Sequence, residues 1–293
     1  MFPADFTYAR AESPEHALSL LEEAQADGDE AKLLAGGQSL LPMMKLRLAA
    51  PQALIDIGGL AELKGVTTER GSTTIKALTT YRALQRDPHV TAAFPAMTDA
   101  LAVLADQQVR ARGTIGGCVA HGDPAADLPA VLLAMDAEVT LTSSSGTRTT
   151  PLDSFLQGVF ATDLAEDEIL TAITLPAATA IGSAYEKFEQ PASHLPLAGV
   201  CAAVTIENQV ITSARVAVTG VAGRPFRARD AERALASARP SADSLAVAAA
   251  RVADGVRPLS DQHASGPFRL HLAGVLARRA LDRAVSRAQG ATR

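Results

Sequence analysis

Two glycine-containing segments hold the residues of this chain that are best suited to binding a ligand. The first, "LAGGQSLLPMMKLRLA", places Gly36, Gly37, Gln38 and Ser39 directly after a short apolar run. The second, "VRARGTIGGCVAHGDPAADLP", places a Gly-Gly pair shortly after Thr114. Glycines let the backbone approach a ligand closely and adopt positive φ, so several N–H groups can converge on one anion. These residue types therefore favour anion binding by backbone and neutral side-chain donors.

The pair of segments fits a dinucleotide. Two such turns can hold a diphosphate from both sides, and Asp127, at the start of an apparent helix, can accept hydrogen bonds from a ribose. The Gly-x-Gly-x-x-Gly fingerprint of Rossmann domains and the lysine-containing P-loop motif are both absent from the sequence. The sequence therefore indicates a dinucleotide site of another kind.

The hydrophobic pattern predicts the elements that position these segments. A helix starts at Ser13-Pro14, the strand "KLLA" precedes the first glycine segment, and a short helix "LPMMKLRLA" and a strand over 53–57 follow it. We expect hairpins that turn at 70–72 and 145–146, and one helix over "PAMTDALAVLADQQV". The second glycine segment is expected to be a loop, followed by the helix "DLPAVLLAM" and, further on, a strand over 167–176.

The C-terminal part of the chain has a different pattern. Small residues without periodicity in "PAATAIGS" indicate a domain boundary near Pro176. The stretch "LAGVCAAVTIENQVITSARVAVTGVAG" predicts two strands joined by a turn at 207–209. After Pro225 the pattern becomes helical and ends in "FRLHLAGVLARRALDRAVSR", a long helix with a basic face.

Composition excludes several classes of protein. A length of 293 residues suggests two or three domains, and a net charge of -5 argues against binding to nucleic acid or to an anionic membrane. The two cysteines, Cys118 and Cys201, are too few for a four-cysteine iron–sulfur cluster or a cysteine-rich zinc site. No signal peptide and no membrane-spanning run is recognisable, so we expect a cytoplasmic protein.

The two glycine segments resemble the two FAD-binding signatures of a known family. This family is the medium, flavin-carrying subunit of the molybdenum hydroxylases, and the resemblance is strongest to the carbon monoxide dehydrogenase type within the xanthine dehydrogenase family. It extends from "FTYARAESPEHALSLL" through "DEILTAITLP" to "YEKFEQPASHLPLAGVCAAV", and so covers nearly the whole chain.

The resemblance implies an α+β fold with two domains. Residues 1–176 would form an FAD-binding domain of the vanillyl-alcohol oxidase/CO dehydrogenase flavoprotein type, with subdomains 1–57 and 58–176. Residues 177–288 would form a C-terminal α+β domain that contains a three-stranded antiparallel sheet and helices.

The resemblance also implies which residues bind FAD, with no catalytic side chain and no metal ligand among them. The expected positions are Ala35, Gly36, Gly37, Gln38, Ser39, Leu40, Thr114, Ile115, Gly116, Gly117, Cys118, Asp127, Leu170 and Lys187.

These positions have different expected roles. Both glycine segments would contact the diphosphate, and Cys118 would contribute its backbone N–H because a thiol is a poor donor. Asp127 would lie near the ribose or adenine end, and Leu170 would pack near the flavin or adenine. Lys187 would approach the isoalloxazine ring. Glu186 and Glu189 are the alternative residues for this position, because the register of the alignment with the family is loose here.

The function that the resemblance implies is electron transfer. FAD would accept electrons from the iron–sulfur clusters of a small partner subunit, which receives them from a large molybdopterin subunit, and would pass them to an external acceptor. The usual assembly is a dimer of heterotrimers. The large subunit would select the substrate, so this chain does not identify it. Carbon monoxide, an N-heterocycle and an aldehyde all remain open.

Two alternatives remain open at the level of sequence. A stand-alone FAD-dependent oxidase or dehydrogenase of a small substrate would need an acid–base pair over the flavin, and the sequence shows no convincing pair. The second alternative is a nucleotide-binding module without redox function. The role of His121, in "VAHGDP", is also open between flavin, partner and structural contacts.

Overall fold

The first 56 residues build a small parallel sheet. The computed structural model describes residues 2–177 and 181–290. The first elements are β1 (Thr7–Arg10), α1 (Pro14–Ala26), β2 (Ala31–Leu34), α2 (Leu40–Lys45) and β3 (Ala53–Asp56). The sheet order is β1-β3-β2, with both pairs parallel. Ser13 caps α1 as expected, because its side chain accepts a hydrogen bond from the N–H of His16. The sequence pattern did not reveal β1, which is four residues long and largely exposed.

A five-stranded antiparallel sheet and a group of helices follow. Its strands are arranged in the order β4-β5-β10-β6-β7, and both predicted hairpins are confirmed. The elements are β4 (Val66–Glu69), β5 (Ser72–Lys76), α3 (Tyr81–Arg86), α4 (Pro88–Ala93), α5 (Pro95–Val103), α6 (Gln107–Arg112), α7 (Ile115–His121), α8 (Asp127–Ala134), β6 (Glu138–Ser143), β7 (Gly146–Pro151), α9 (Leu152–Phe155), β8 (Leu156–Gly158), β9 (Ala161–Thr162) and β10 (Ile169–Leu175).

Two local predictions in this part were wrong. The helix expected over "PAMTDALAVLADQQV" is broken into α5 and α6, because Ala105 adopts a positive φ of 43° and Asp106 caps a new helix through the N–H of Val109. The second glycine segment is not a loop. Thr114 caps α7, and both of its glycines lie in the first turn of that helix.

The C-terminal part is a sheet covered on both faces. Its strands are arranged in the order β11-β12-β13-β14, all antiparallel, so a two-residue fourth strand is added to the three that were expected. The elements are β11 (Ile181–Glu189), β12 (Pro196–Glu207), β13 (Val210–Thr219), β14 (Phe226–Arg227), α10 (Arg229–Leu235), α11 (Ala242–Ala250) and α12 (Gly266–Ala288). The predicted turn before β13 is confirmed, with Asn208 and Gln209 at positive φ.

The hydrophobic cores explain why β12 reads as a continuous apolar run. One face of this sheet packs into the core of the preceding part, where Tyr185, Cys201 and Ala217 join helices such as α5 and α8. The other face packs against α10, α11 and α12. A strand buried on both faces has no reason to alternate polar and apolar residues. The linker predicted over 176–183 includes residues 178–180, which lie outside the described residues.

An ion cluster at Asp99 joins the two parts. The Asp99 carboxylate, on α5, accepts hydrogen bonds from Arg283 at 2.8 Å and Arg287 at 2.7 Å on α12. It also accepts one from the backbone N–H of Tyr185 on β11. Because the carboxylate is only 14% exposed, its loss would remove one partner from each of two guanidinium groups and leave a strand N–H without its acceptor.

We expect Asp99→Ala to lower the free energy of unfolding by about 2 kcal/mol, between the values for exposed and buried ion pairs. Asp282→Ala is the matched control, because Asp282 pairs with Arg278 one helical turn away on the surface of α12. The control should lose about 0.5 kcal/mol or less. Urea titration followed by circular dichroism measures both, and equal losses would show that the cluster does not join the two parts.

Candidate functional site

The first glycine segment is a turn between β2 and α2 that packs against the second segment. Gly37 has a φ of +72°, which side chains disfavour. A Cβ on Gly36 would collide with the carbonyl group of Arg112, near the start of the second segment. The two segments are therefore in contact, and Gly36 is required for that contact while Gly37 is required for the turn.

This turn carries a row of unused hydrogen-bond donors. The backbone N–H groups of residues 36–40 have no hydrogen-bond acceptor within the described part of the chain. Gln38 donates its side-chain amide to the carbonyl of Gly36, and the side chain of Ser39 does not cap α2. Five successive free N–H groups at a turn and a helix start can donate to an anion. The donors expected from the sequence are therefore free, and their contact with a diphosphate stays a prediction.

The second glycine segment differs from the expectation. The N–H groups of Ile115 and Gly116 donate to the carbonyls of Thr79 and Ala77, and that of Cys118 donates to the carbonyl of Thr114. The N–H of Gly117 donates to Oγ1 of Thr114 at 3.2 Å. Backbone donation from this segment to a diphosphate, including the donation expected from Cys118, is therefore not available in this structure.

The part of the second segment that can still meet a ligand is Thr114 and the surface at Gly117. The Thr114 hydroxyl accepts from Gly117 and keeps its own proton for donation. Gly117 is exposed, and a Cβ there would lie 3.8 Å from Cβ of Ala35 in the first segment. Ile115 and Gly116 are buried, and Gly116 packs against the backbone of Ala77. These two residues hold the segment in place and do not face the site.

A buried charge cluster lies next to these segments. Asp127 is the first residue of α8 and is 4% exposed. Its carboxylate accepts a hydrogen bond of 2.8 Å from the hydroxyl of Tyr185 and pairs with Nζ of Lys187 at 3.1 Å. Burial raises the pKa of Asp127 to about 6, against the opposing effects of Lys187 and Tyr185.

The ammonium group of Lys187 is surrounded by protein groups. Beside Asp127, its Nζ lies 2.8 Å from the carbonyl of His194 and 3.6 Å from a carboxylate oxygen of Glu189. The expected contact with an isoalloxazine ring stays a prediction, and it would have to replace one of these. Because Lys187 and Asp127 are in contact, the roles expected for them at opposite ends of a dinucleotide cannot both be right.

The turn before α8 is held by the C-terminal part of the chain. The Thr219 hydroxyl lies 2.9 Å from the carbonyl of Pro124 and 2.7 Å from that of Ala126. The N–H of Gly220 also donates to the carbonyl of Pro124. Both the side chain and the backbone of Asp127 are thus positioned by β11 and β13 across the contact between the two parts.

The remaining candidate residues lie in less open places. Leu170, on β10, is 5% exposed and packs in the main core, so its contact with a ligand stays a prediction. Burial raises the pKa of Cys118 to about 12, and its thiol interacts with the hydroxyl of Tyr81. The ring of His121 contacts that of Phe160, with 5.0 Å between the centroids, and burial lowers its pKa.

Sequence reasoning missed Tyr185 and Thr219. For Tyr185 a signal was present, because alternate residues of a strand share a face and "YEKFE" places Tyr185, Lys187 and Glu189 on one face of β11. For Thr219 no local signal exists. Its partners lie more than ninety residues earlier in the chain, and only the tertiary fold brings them together.

Two family models match the chain, and together they span most of it. The model described as "FAD binding domain in molybdopterin dehydrogenase" matches residues 4–178. The model of the "CO dehydrogenase flavoprotein C-terminal domain" matches residues 183–284. The chain belongs to the FAD-binding family of the molybdopterin dehydrogenases. FAD is therefore its cofactor, and the protein is an oxidoreductase subunit of this class.

Curated relatives align with the chain over nearly their whole lengths. The carbon monoxide dehydrogenase medium chain of Hydrogenophaga pseudoflava is 36% identical over 288 residues, which cover 98% of this chain and 99% of the relative. The glyceraldehyde dehydrogenase medium chain of Sulfolobus acidocaldarius is also 36% identical, over 96% of this chain and 98% of the relative.

Solved structures show the same fold. A chain of the Hydrogenophaga pseudoflava carbon monoxide dehydrogenase superposes with a TM-score of 0.94 at 38% identity, covering 98% of this chain and 99% of that one. A chain of quinoline 2-oxidoreductase from Pseudomonas putida 86 gives 0.91 at 30% identity, with 99% of both chains covered. Among the described residues, no helix has the length and apolar character needed to cross a membrane.

The residues present fit an FAD molecule. The free N–H groups of residues 36–40 suit the diphosphate, and the exposed Gly117 presents no side chain beside the first segment. Bound FAD supplies a carrier that takes up and releases one or two electrons. The residues of the chain bind and orient it, and none of them needs to act as a nucleophile for that purpose.

We expect Gly37→Ala to lose most of its FAD, because a side chain at positive φ displaces the N–H groups that bind the diphosphate. Gly28→Ala is the control, since Gly28 has a φ of +79° and a Cβ there meets nothing within 4 Å. Gly28→Ala should lose about 1 kcal/mol of stability, and Gly37→Ala should lose more, because its Cβ would lie 2.9 Å from Cδ1 of Leu41. The ratio of flavin to protein absorbance measures binding, and equal flavin content in the two variants would contradict this assignment.

A second substitution tests Thr114. Thr114→Ala removes the cap of α7 and the free hydroxyl proton, so it should cost about 1 kcal/mol of stability and also weaken FAD binding. Ser241→Ala removes a comparable cap from α11, where the Ser241 side chain accepts from the N–H of Ser244. Ser241→Ala should lower stability by a similar amount and leave the affinity for FAD unchanged. Thr114→Ser keeps a hydroxyl at this position, so it should retain both the stability and the FAD affinity of the original chain. Fluorescence titration with FAD distinguishes the variants.

Proposed function

We propose that this chain is the electron-transfer subunit of a molybdenum hydroxylase. It takes electrons from the iron–sulfur clusters of a small partner subunit, which a large molybdopterin subunit reduces, and passes them to an external acceptor. The observation that carries the proposal is the end-to-end match with medium chains, which are by name one chain of several in their dehydrogenases. A dimer of such heterotrimers is the expected assembly.

The cysteines of the chain support a division of labour between subunits. Cys201 is fully buried, and burial raises its pKa. Cys201 lies on β12, whereas Cys118 lies on α7 beside Tyr81. Two separated thiols cannot hold a four-cysteine cluster, so clusters that reduce FAD must come from another polypeptide. The chain then contributes one redox centre, held at the contact between its two parts.

The substrate of the assembly stays open among several chemical classes. Two relatives that are both 36% identical to this chain are named for carbon monoxide and for glyceraldehyde. Others are named for nicotine and for caffeine. Such different molecules share a similar medium chain. This supports placing substrate selection in the large subunit, with carbon monoxide, an aldehyde or an N-heterocycle as the classes to test.

Anaerobic stopped-flow absorbance tests the proposal. The FAD-loaded chain alone should show no bleaching when carbon monoxide, aldehydes or N-heterocycles are added. The same flavin should bleach with the right substrate once the chain is assembled with its cluster and molybdenum subunits. Rapid bleaching of the isolated chain by an organic substrate would instead establish the alternative, a stand-alone oxidase or dehydrogenase.

A further inference from the structure

The segment that follows the first glycine turn is apolar and yet exposed. The stretch "LLPMMKLRLA" covers residues 40–49 and contains α2 and the turn after it. Among the described residues of this stretch only Met44 is buried, whereas Leu46 is 58% exposed and Leu48 is 71% exposed. Adjacent large apolar side chains that a chain leaves in water are typical of a surface that another protein covers.

The end of α2 does not explain the side chains found there. The N–H of Leu48 donates to the carbonyl of Met43 at 2.9 Å, and the N–H of Arg47 donates to that of Met44 at 3.0 Å. This is the Schellman pattern, in which glycine usually occupies the position of Arg47 and the next residue packs back onto the helix. Here Arg47 has a φ of 58°, and Leu48 stays largely in solvent. The helix could end with a glycine, so these two side chains are available for another contact.

The charge of this surface is positive. Residues 31–55 contain no Asp or Glu, although the whole chain has 32 of them and a net charge of -5. Lys45 and Arg47 are exposed, and no carboxylate of the described part of the chain forms an ion pair with either. The Nε of Arg47 lies 3.5 Å from the carbonyl of Phe2, which is 86% exposed. We define Phe2, Lys45, Leu46, Arg47 and Leu48 as the α2 patch. Unpaired cations among apolar side chains suit a partner surface of negative charge.

We propose that the α2 patch is the surface on which the small iron–sulfur subunit docks. The inference rests on the proposed function and adds the place of contact. A cluster held by four cysteine thiolates carries net negative charge, which complements Lys45 and Arg47. The six residues of α2 span about 9 Å, and its other end is the turn with the free N–H groups. A subunit on the patch therefore lies beside that turn and leaves it open.

Photocrosslinking identifies what covers the patch. Leu48 is replaced by p-benzoylphenylalanine in the chain assembled with its cluster and molybdenum subunits, and the products of ultraviolet irradiation are identified by mass spectrometry. The cluster subunit should be crosslinked. The same replacement at Val247, which is 50% exposed on α11, is the control and should not crosslink that subunit. A crosslink from residue 48 to the large subunit, or none in the assembled complex, would overturn the inference.

Reversal of the two charges tests the electrostatic part. Lys45→Glu combined with Arg47→Glu should weaken binding of the FAD-loaded chain to the cluster subunit by about a hundredfold at low salt. The loss should become smaller at high salt, because ions screen exposed charges. Lys64→Glu combined with Arg279→Glu makes the same change of net charge on exposed side chains elsewhere and is the control. Surface plasmon resonance measures the affinities, and equal affinities of the two double variants would contradict the docking surface.

Serine substitutions test the apolar part. Leu46→Ser and Leu48→Ser should each weaken binding to the cluster subunit by about tenfold, with Val247→Ser as control. All three side chains are exposed, so the melting temperature and the flavin content should not change. Loss of flavin from the leucine variants alone would show that the segment belongs to the cofactor site and would overturn the inference.

The same measurements separate the docking surface from the proposed function. If the original chain does not bind the cluster subunit, the proposed function fails together with this inference. If the original chain and all variants bind equally well, the proposed function stands and the α2 patch is not the docking surface.

Discussion

The buried carboxylate of Asp127 is the constraint on which the arrangement of the site depends. An ionised group removed from water must be paired and hydrogen-bonded, or the fold cannot keep it charged. Asp127 belongs to the FAD-binding domain, yet Lys187 and Tyr185, its side-chain partners, come from the C-terminal domain. Thr219 and Gly220 of that domain also hold the preceding turn. The C-terminal domain therefore positions a buried charge of the FAD-binding domain and is not only a neighbour of it.

The glycines of the two segments are required for two different reasons. Gly36 and Gly116 are in close contact with protein backbone, at Arg112 and Ala77, and so allow the segments to pack. Gly37 is required for its positive φ, and a Cβ on Gly117 would lie 2.8 Å from Oγ1 of Thr114, the cap of α7. The first segment leaves its N–H groups free, whereas the second uses them to start α7. Similar Gly-Gly motifs thus serve as an anion-binding turn in one case and as a rigid support in the other.

The sequence predicted well what depends on local pattern. Apolar spacing, turn residues and caps correctly located β2, β3, three hairpin turns and α8, because these features are set within about ten residues. The break between α5 and α6 was missed because its apolar pattern continues across Ala105. The pairing of Asp127 with Lys187 was also missed, although both residues were named as candidates. Sixty residues separate them in sequence. A contact between side chains of two domains produces no periodic pattern in the sequence from which it could be predicted.

The first glycine segment and the cluster at Asp127 differ in how their charge depends on pH. Backbone N–H groups bind a diphosphate without any group that titrates, so this part of the binding does not change with pH. The cluster at Asp127 contains two carboxylates and one ammonium group, a net charge of -1 that becomes zero when Asp127 is protonated. With a pKa of about 6, Asp127 changes its charge close to neutral pH. The first segment has no lysine or carboxylate between Gly36 and Ser39, so its own charge stays constant over that range.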